Sequence, residues 1–97
     1  MSNPLGMQEL CQTVAIPTSL LMEIVEHGII YPAGRGPETW QFDQHALITC
    51  RRAARLQREL ELEWSGIALA LQLLDDLEQV RRENSQLKSQ LGRFLSE

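Results

Sequence analysis

Apolar residues recur at helical spacing in two short stretches near the start of the chain. They are Met7, Leu10 and Val14 in the first stretch, and Leu20, Leu21, Ile24 and Val25 in the second. This spacing predicts two short amphipathic helices. Pro17 suits the first turn of the second helix, and Gly28 suits its end, because glycine adopts a left-handed C-terminal cap without strain. The pair predicts a helix-turn-helix.

The pattern changes from helical to alternating over the next segment. Turn-forming residues occupy positions 33–38, AGRGPE, and the following residues TWQF alternate between polar and apolar. This alternation is typical of a strand, so we predict a small β-hairpin, or wing, that directs Trp40 and Phe42 into the core. The expected fold class is mainly α, a winged helix-turn-helix with a β-hairpin wing and a long C-terminal heptad helix.

Two further helices are predicted in the second half of the chain. Asp43 suits the N-cap of a helix from about Gln44 to Leu60, and a last helix is expected from about Gly66 to Leu95. We therefore predict two parts, a winged helix-turn-helix-like domain over residues 1–63 and a long C-terminal helix over residues 64–97.

The last helix carries an apolar seam with alternating spacings of four and three residues. The seam residues are Leu73, Leu77, Val80, Asn84, Leu87, Leu91 and Phe94. About three heptads of this kind predict a coiled-coil homodimer from about residue 73. The alternative is a helix packed along its own domain, but little chain remains to cover such a stripe.

Charges beside the seam bear on the orientation of the dimer. Asp76 and Glu83 occupy g positions, and Arg81 and Lys88 occupy e positions, so parallel helices bring opposite charges together. A pair of facing Asn84 residues also favours parallel helices in a fixed register. Because each exposed ion pair contributes only a few tenths of a kcal/mol, the antiparallel arrangement stays open.

Composition argues against an enzyme. His27 and His45 are the only histidines, and we interpret them as surface or helix-end residues rather than catalytic groups. Cys11 and Cys50 lie far apart without clustered His or Cys partners, so we expect reduced thiols, no metal site and no cofactor. The sequence has neither a membrane-length apolar run nor a signal peptide, and we expect a cytoplasmic location.

The segment ELCQTVAIPTSLLMEIVEHGIIYP resembles the helix-turn-helix of MerR-type regulators, and ITCRRAARLQRELELEWSGIALALQLL is similar to their later helices. Their DNA-reading cations do not carry over. Met22 and Glu23 stand where that pattern places an Arg and a Tyr, Glu26 replaces a later basic residue, and Trp40-Gln41 replaces the Tyr-Arg of the wing. Carboxylates facing phosphate oppose binding, so the resemblance implies the scaffold without its usual DNA contacts.

About 90 residues, including WQFDQHALITCRRAARLQREL and WSGIALALQLLDDLEQVRREN, are similar to the CbpM family of chaperone modulatory proteins. That resemblance implies a partner and inhibitor of the DnaJ-like co-chaperone CbpA. It implies binding to the J-domain of CbpA, with inhibition of its co-chaperone activity and of its DNA binding. A J-domain presents a basic helix, so we expect carboxylates beside apolar surface on this chain.

Two acidic patches fit this expectation, and the sequence does not choose between them. The first comprises Met22, Glu23 and Glu26; the second comprises Leu71, Leu74, Asp75, Asp76 and Glu78. Each patch is equally consistent with a solvated acidic face. A MerR-like DNA-binding regulator remains the alternative function, because Arg51, Arg55 and Arg58 share a helix face. Glu59, Glu61 and Glu63 follow closely, so we expect this helix surface to be locally neutralised.

Overall fold

Four helices form most of the computed structural model, which describes residues 3–96. Helix α1 spans Met7–Val14, α2 spans Thr18–Glu26, α3 spans Gln44–Leu60 and α4 spans Trp64–Ser96. The fold is therefore mainly α, as the apolar spacing predicts. Residues 1, 2 and 97, which belong to the two predicted parts of the chain, lie outside the described residues.

Helices α1 and α2 form the predicted helix-turn-helix. The turn between them contains Ala15 in the left-handed conformation, with φ of 63°, followed by Ile16 and Pro17. At the other end of α2, the backbone N–H of His27 donates to the carbonyl oxygen of Glu23 over 3.0 Å. Gly28 then adopts a positive φ of 70°, which confirms its predicted place at the end of this helix.

The predicted β-hairpin wing is wrong, since the described part of the chain contains no strand. Two isolated antiparallel bridges take its place, one between Leu5 and Phe42 and one between Ala33 and Gln41. Pro32 lacks a backbone N–H, so it removes a ladder hydrogen bond beside Ala33. Phe42 instead bonds to Leu5, with N to O distances of 2.7 and 2.9 Å. The predicted strand thus divides its backbone bonds between two partners.

Of the two aromatic residues assigned to the core, Phe42 is fully buried, and Trp40 is half-buried against it. The two rings meet edge to face, with centroids 6.2 Å apart. Gly34 makes the preceding turn possible, because its φ is +116° and an added Cβ would lie 2.6 Å from the carbonyl oxygen of Thr39.

Helix α3 has the predicted bounds. Its N-cap is Asp43, whose carboxylate Oδ1 accepts a hydrogen bond of 2.8 Å from the backbone N–H of Ala46. At the C-terminal end, Glu61 adopts a left-handed conformation with φ of 53°, and its N–H donates to the carbonyl oxygen of Gln57. A non-glycine residue in this conformation redirects the chain sharply before α4 begins.

The first turns of α4 complete the core. The helix begins at Trp64, two residues before the predicted Gly66, and it buries Trp64, Ile67 and Leu71. These side chains pack in one cluster with Leu10, Leu21, Ile24, Phe42 and Cys50. Every residue from Gln72 to Ser96 is exposed, so the remainder of α4 leaves the domain as an arm, about 37 Å long at 1.5 Å per residue.

The two cysteines are free and buried in the core. Cys50 is inaccessible to solvent, and burial raises the pKa of its thiol to about 11, with a smaller contribution from nearby Cys11. Burial also raises the pKa of the Cys11 thiol. Both side chains therefore act as small neutral core residues rather than as nucleophiles.

We predict that Cys50 makes the fold sensitive to alkali. A thiol in the unfolded chain ionises near pH 9, whereas the buried thiol stays neutral to about pH 11. Its contribution is therefore fully present below pH 9 and is lost as the pH rises toward 11. Between pH 9 and pH 11, the free energy of unfolding measured in urea should fall by on the order of 2 kcal/mol more for wild type than for Cys50→Ala. Equal losses in the two proteins would contradict the assignment.

Candidate protein-binding surface

Helix α2 exposes the carboxylates of the first predicted patch. Glu23 and Glu26 are exposed, and Met22 is half-buried. The ion pairs within residues 3–96 join Arg52 to Asp75 and Arg55 to Glu59, so neither involves α2. This surface is acidic and has no compensating arginine.

Glu23 also has a structural partner that the sequence does not indicate. Its Oε2 accepts a hydrogen bond of 2.6 Å from the indole Nε1–H of Trp64, which is 8% exposed. A buried indole N–H needs an acceptor. The bond therefore joins the C-terminal half of α2 to the first residue of α4 and leaves the second carboxylate oxygen available at the surface.

The turn before α4 adds acidic side chains to the same place. Glu61 and Glu63, both exposed, line a cleft of about 440 Å³ together with Glu23, His27, Trp64 and Ser65. We call this the acidic cleft. From sequence, Glu61 and Glu63 are expected only to neutralise the nearby arginines of α3. Their approach to Glu23 depends on the chain reversal at Glu61.

A second cleft adjoins the first at His27, which lines both. This central cleft, of about 460 Å³, is bounded by His27, Ile29, His45, Leu69, Gln72 and Asp75. It therefore collects side chains from the end of α2, the start of α3 and one face of α4. Neither histidine is predicted from sequence to belong to a binding surface.

The second predicted patch does not form a single surface. Asp75 lines the central cleft and lies 3.9 Å from Arg52. Leu71 is buried in the core. Leu74 and Asp76 are both exposed, but residues two apart on a helix do not face each other. Of the charged members of this patch, then, Asp75 is the one that lines the central cleft, which adjoins the acidic cleft of Glu23 at His27.

Glu78 and the seam residues belong to the exposed arm of α4. The aliphatic and aromatic members of the seam are between 44% and 75% exposed. They are Leu73, Leu77, Val80, Leu87, Leu91 and Phe94. Asn84 is exposed with them. The seam is thus an apolar stripe without a covering element in the described part of this chain.

The arginine face of α3 is partly neutralised. Of its three arginines, Arg55 donates from Nε to Glu59 Oε1 over 2.9 Å, whereas Arg52, which is not one of the three, lies 3.9 Å from Asp75 of α4. Arg51 and Arg58 are exposed on the same helix. Among residues 3–96 there is no group of three or more His, Cys, Asp or Glu side chains that could hold a metal ion. No described helix is long and apolar enough to cross a membrane.

Comparison with known proteins agrees with this scaffold. The model of the MerR HTH family of regulatory proteins matches residues 5–89. The chaperone modulatory protein CbpM of Pseudomonas putida (strain W619) is 57% identical over 90 residues, which cover 93% of this chain and 89% of that protein. The CbpM of Escherichia coli O1:K1 / APEC is 43% identical over 88 residues, covering 91% and 87%. The chain belongs to the CbpM family.

Family membership confirms the resemblance read from the sequence, both to CbpM and to the MerR-like scaffold. The relatives are named as modulators of a chaperone and not as enzymes. A MerR-type helix-turn-helix therefore occurs here in a family named for acting on a chaperone. The α2 surface of this chain is acidic, whereas DNA phosphate is attracted by cations.

The hydrogen bond between Trp64 and Glu23 yields a prediction about stability. Glu23→Ala leaves the buried indole N–H without its acceptor and should lower the free energy of unfolding by about 1–3 kcal/mol. Glu23→Gln keeps an oxygen acceptor, so its free energy of unfolding should fall by less than half of the decrease in Glu23→Ala. Urea unfolding measures both, with the exposed Glu26→Ala as the control. If Glu23→Ala and Glu26→Ala unfold at the same urea concentration, the bond has no structural role.

Proposed function

We propose that this chain modulates a chaperone by binding the J-domain of a CbpA-type co-chaperone, and that binding inhibits the co-chaperone and DNA-binding activities of that partner. The observation that carries this proposal is the exposed acidic surface of α2, formed by Glu23 and Glu26, neither of which belongs to an ion pair within residues 3–96. Membership of a family named for chaperone modulation supports it.

Electrostatic complementarity explains how such a surface selects its partner. The carboxylates near His27 attract a basic helix, and apolar side chains such as Leu69 lie beside them. Opposite charges raise the association rate and disfavour wrong partners, while apolar burial slows dissociation. A protein that covers the basic helix of a J-domain competes with the Hsp70 chaperone for that helix, which accounts for inhibition.

We predict that the acidic surface is required for binding. Full-length CbpA and a form without its J-domain are titrated with this protein by calorimetry. Wild type should bind only the full-length form, and less tightly as salt rises. Glu26→Lys should weaken binding at least about tenfold, because it reverses a charge without touching the Trp64 bond.

Glu9→Lys on α1 is the matched control, since it makes the same charge reversal at an exposed position of another helix. Equal weakening by both variants would mean that net charge, not this surface, governs the interaction. Loss of CbpA binding together with tight, steeply salt-dependent binding of duplex DNA would replace the proposal with the DNA-binding regulator.

The arm of α4 supports a second part of the proposal, a homodimer. Its seam residues from Leu73 onward are exposed in heptad order, and the e and g charges match those of a parallel coiled coil. The arm of a second copy of this chain can pack along the stripe and cover it, and this pairing requires the least change in the structure of the domain. The dimer would present two copies of the acidic surface to the partner, which raises apparent affinity wherever both can engage.

We predict that Leu87→Lys dissociates the dimer, because a charge at a d position cannot be buried between two helices. Light scattering at high protein concentration should give twice the chain mass for wild type and a single chain mass for this variant. Gln86→Lys, one position away and off the seam, should remain dimeric. A wild-type monomer at high concentration, or equal behaviour of the two variants, contradicts the coiled coil.

A further inference from the structure

The two histidines of the chain converge on one cleft from different helices. His27 follows the last residue of α2, and His45 lies in the first turn of α3. Both line the central cleft, opposite Leu69, Gln72 and Asp75 of α4. Neither imidazole belongs to the core or the seam.

The central cleft has the length and surface for a short helix. Leu69 on its wall is 57% exposed, and Ile29 is half-buried beside it. Ala68, Leu69, Gln72 and Asp75 share one face of α4 and span about two turns, or roughly 10 Å. Exposed apolar side chains along a groove of this length suit one face of an amphipathic helix.

The charges around the cleft favour a cationic occupant. Asp75 lies on one side, and at His27 the cleft opens into the acidic cleft with Glu23, Glu61 and Glu63. No Lys or Arg is among the residues that line these two clefts. A second copy of this chain, with a net charge of −4, complements these carboxylates poorly.

Protonation of the histidines opposes a cation in the same place. His27 Nδ1 lies 2.8 Å from the carbonyl oxygen of Glu23 and donates to it, because a carbonyl oxygen can only accept, so the other ring nitrogen is left without this bond. Glu23, Glu61 and Glu63 lie around this ring. His45 is shared with the neighbouring cleft that contains Asp43 and Tyr31. Asp75 faces both imidazoles across the central cleft, with Arg52 as its partner.

Imidazole is the side chain whose ordinary titration falls between pH 5 and 8, whereas carboxylates ordinarily keep their charge over that range. Acidification therefore adds up to two positive charges to the cleft and removes none of the negative ones. By linkage, protonation of the cleft lowers its affinity for a cationic group. A bound cationic group lowers the affinity of the cleft for protons by the same factor.

We propose that the central cleft is the docking surface for a cationic amphipathic helix of the partner, and that docking requires neutral His27 and His45. This inference rests on the proposed function, because it assigns the surface that the co-chaperone contacts. It makes the complex sensitive to pH: the modulator holds its partner near neutral pH and releases it on mild acidification.

The test compares affinity for full-length CbpA at about pH 7.5 and about pH 5.5. Wild type should lose about five- to tenfold in affinity across this range, as expected for two like charges within several ångströms of the bound cations. The double variant His27→Gln/His45→Gln should lose most of this dependence, and the readout is the ratio of its affinities at the two pH values rather than its affinity at either one. Any dependence that remains in the variant belongs to titrating groups of the partner.

An aliphatic pair of variants tests the cleft independently of pH. Leu69→Ala should weaken CbpA binding about fivefold, whereas Ile48→Ala, which removes a comparably exposed side chain of α3 outside both clefts, should change it less than twofold. Circular dichroism confirms that each variant retains its helices, so that a loss of affinity is not a loss of fold.

Three results separate this inference from the proposed function. Equal pH dependence of wild type and the histidine variant overturns the inference, while binding itself leaves the proposed function standing. Light scattering that shows Leu69→Ala weakening the self-association of the chain rather than the CbpA complex makes a second copy the occupant and also overturns it. Absence of CbpA binding at every pH removes the proposed function and the inference together.

Discussion

Burial of Trp64 with its indole N–H bonded to Glu23 is the constraint on which the rest of the structure depends. It fixes the first residue of α4 against α2, so that Ile67 and Leu71 complete the core. The same contact determines where the exposed arm leaves the domain. Glu23 and Trp64 also line the acidic cleft, so the packing of α4 and this part of the candidate binding surface have one origin.

Glu23 belongs both to the contacts that hold the fold together and to the exposed acidic surface. One carboxylate oxygen satisfies a buried donor, and its negative charge remains part of an exposed acidic surface. In a helix-turn-helix that reads DNA, this surface meets phosphate and needs cations. Here Glu61 and Glu63 gather near Glu23 instead. The MerR-type scaffold is therefore retained with an acidic α2 surface, and in the proposed function this charge selects a basic protein.

Local signals predict most of the helical fold. The cap at Asp43 and the left-handed glycine at position 28 depend on neighbouring backbone groups, and both lie where the sequence places them. The wing is predicted wrongly because Phe42 takes a backbone partner, Leu5, that lies 37 positions away. The clefts are missed for the same reason. Contact between Glu23 and Trp64 spans 41 positions, and no periodicity in the sequence encodes it.

The most direct test of the acidic recognition surface is a map of the amides that respond to the partner. Amide chemical shifts of this protein, recorded with and without CbpA, should change mainly around residues 23–29, 61–65 and 68–76, which line the two clefts or are sequence neighbours of residues that do. Little change is expected in α1 or the turn at residues 33–39. Changes confined to those two segments or to the arginine face of α3 would contradict the account.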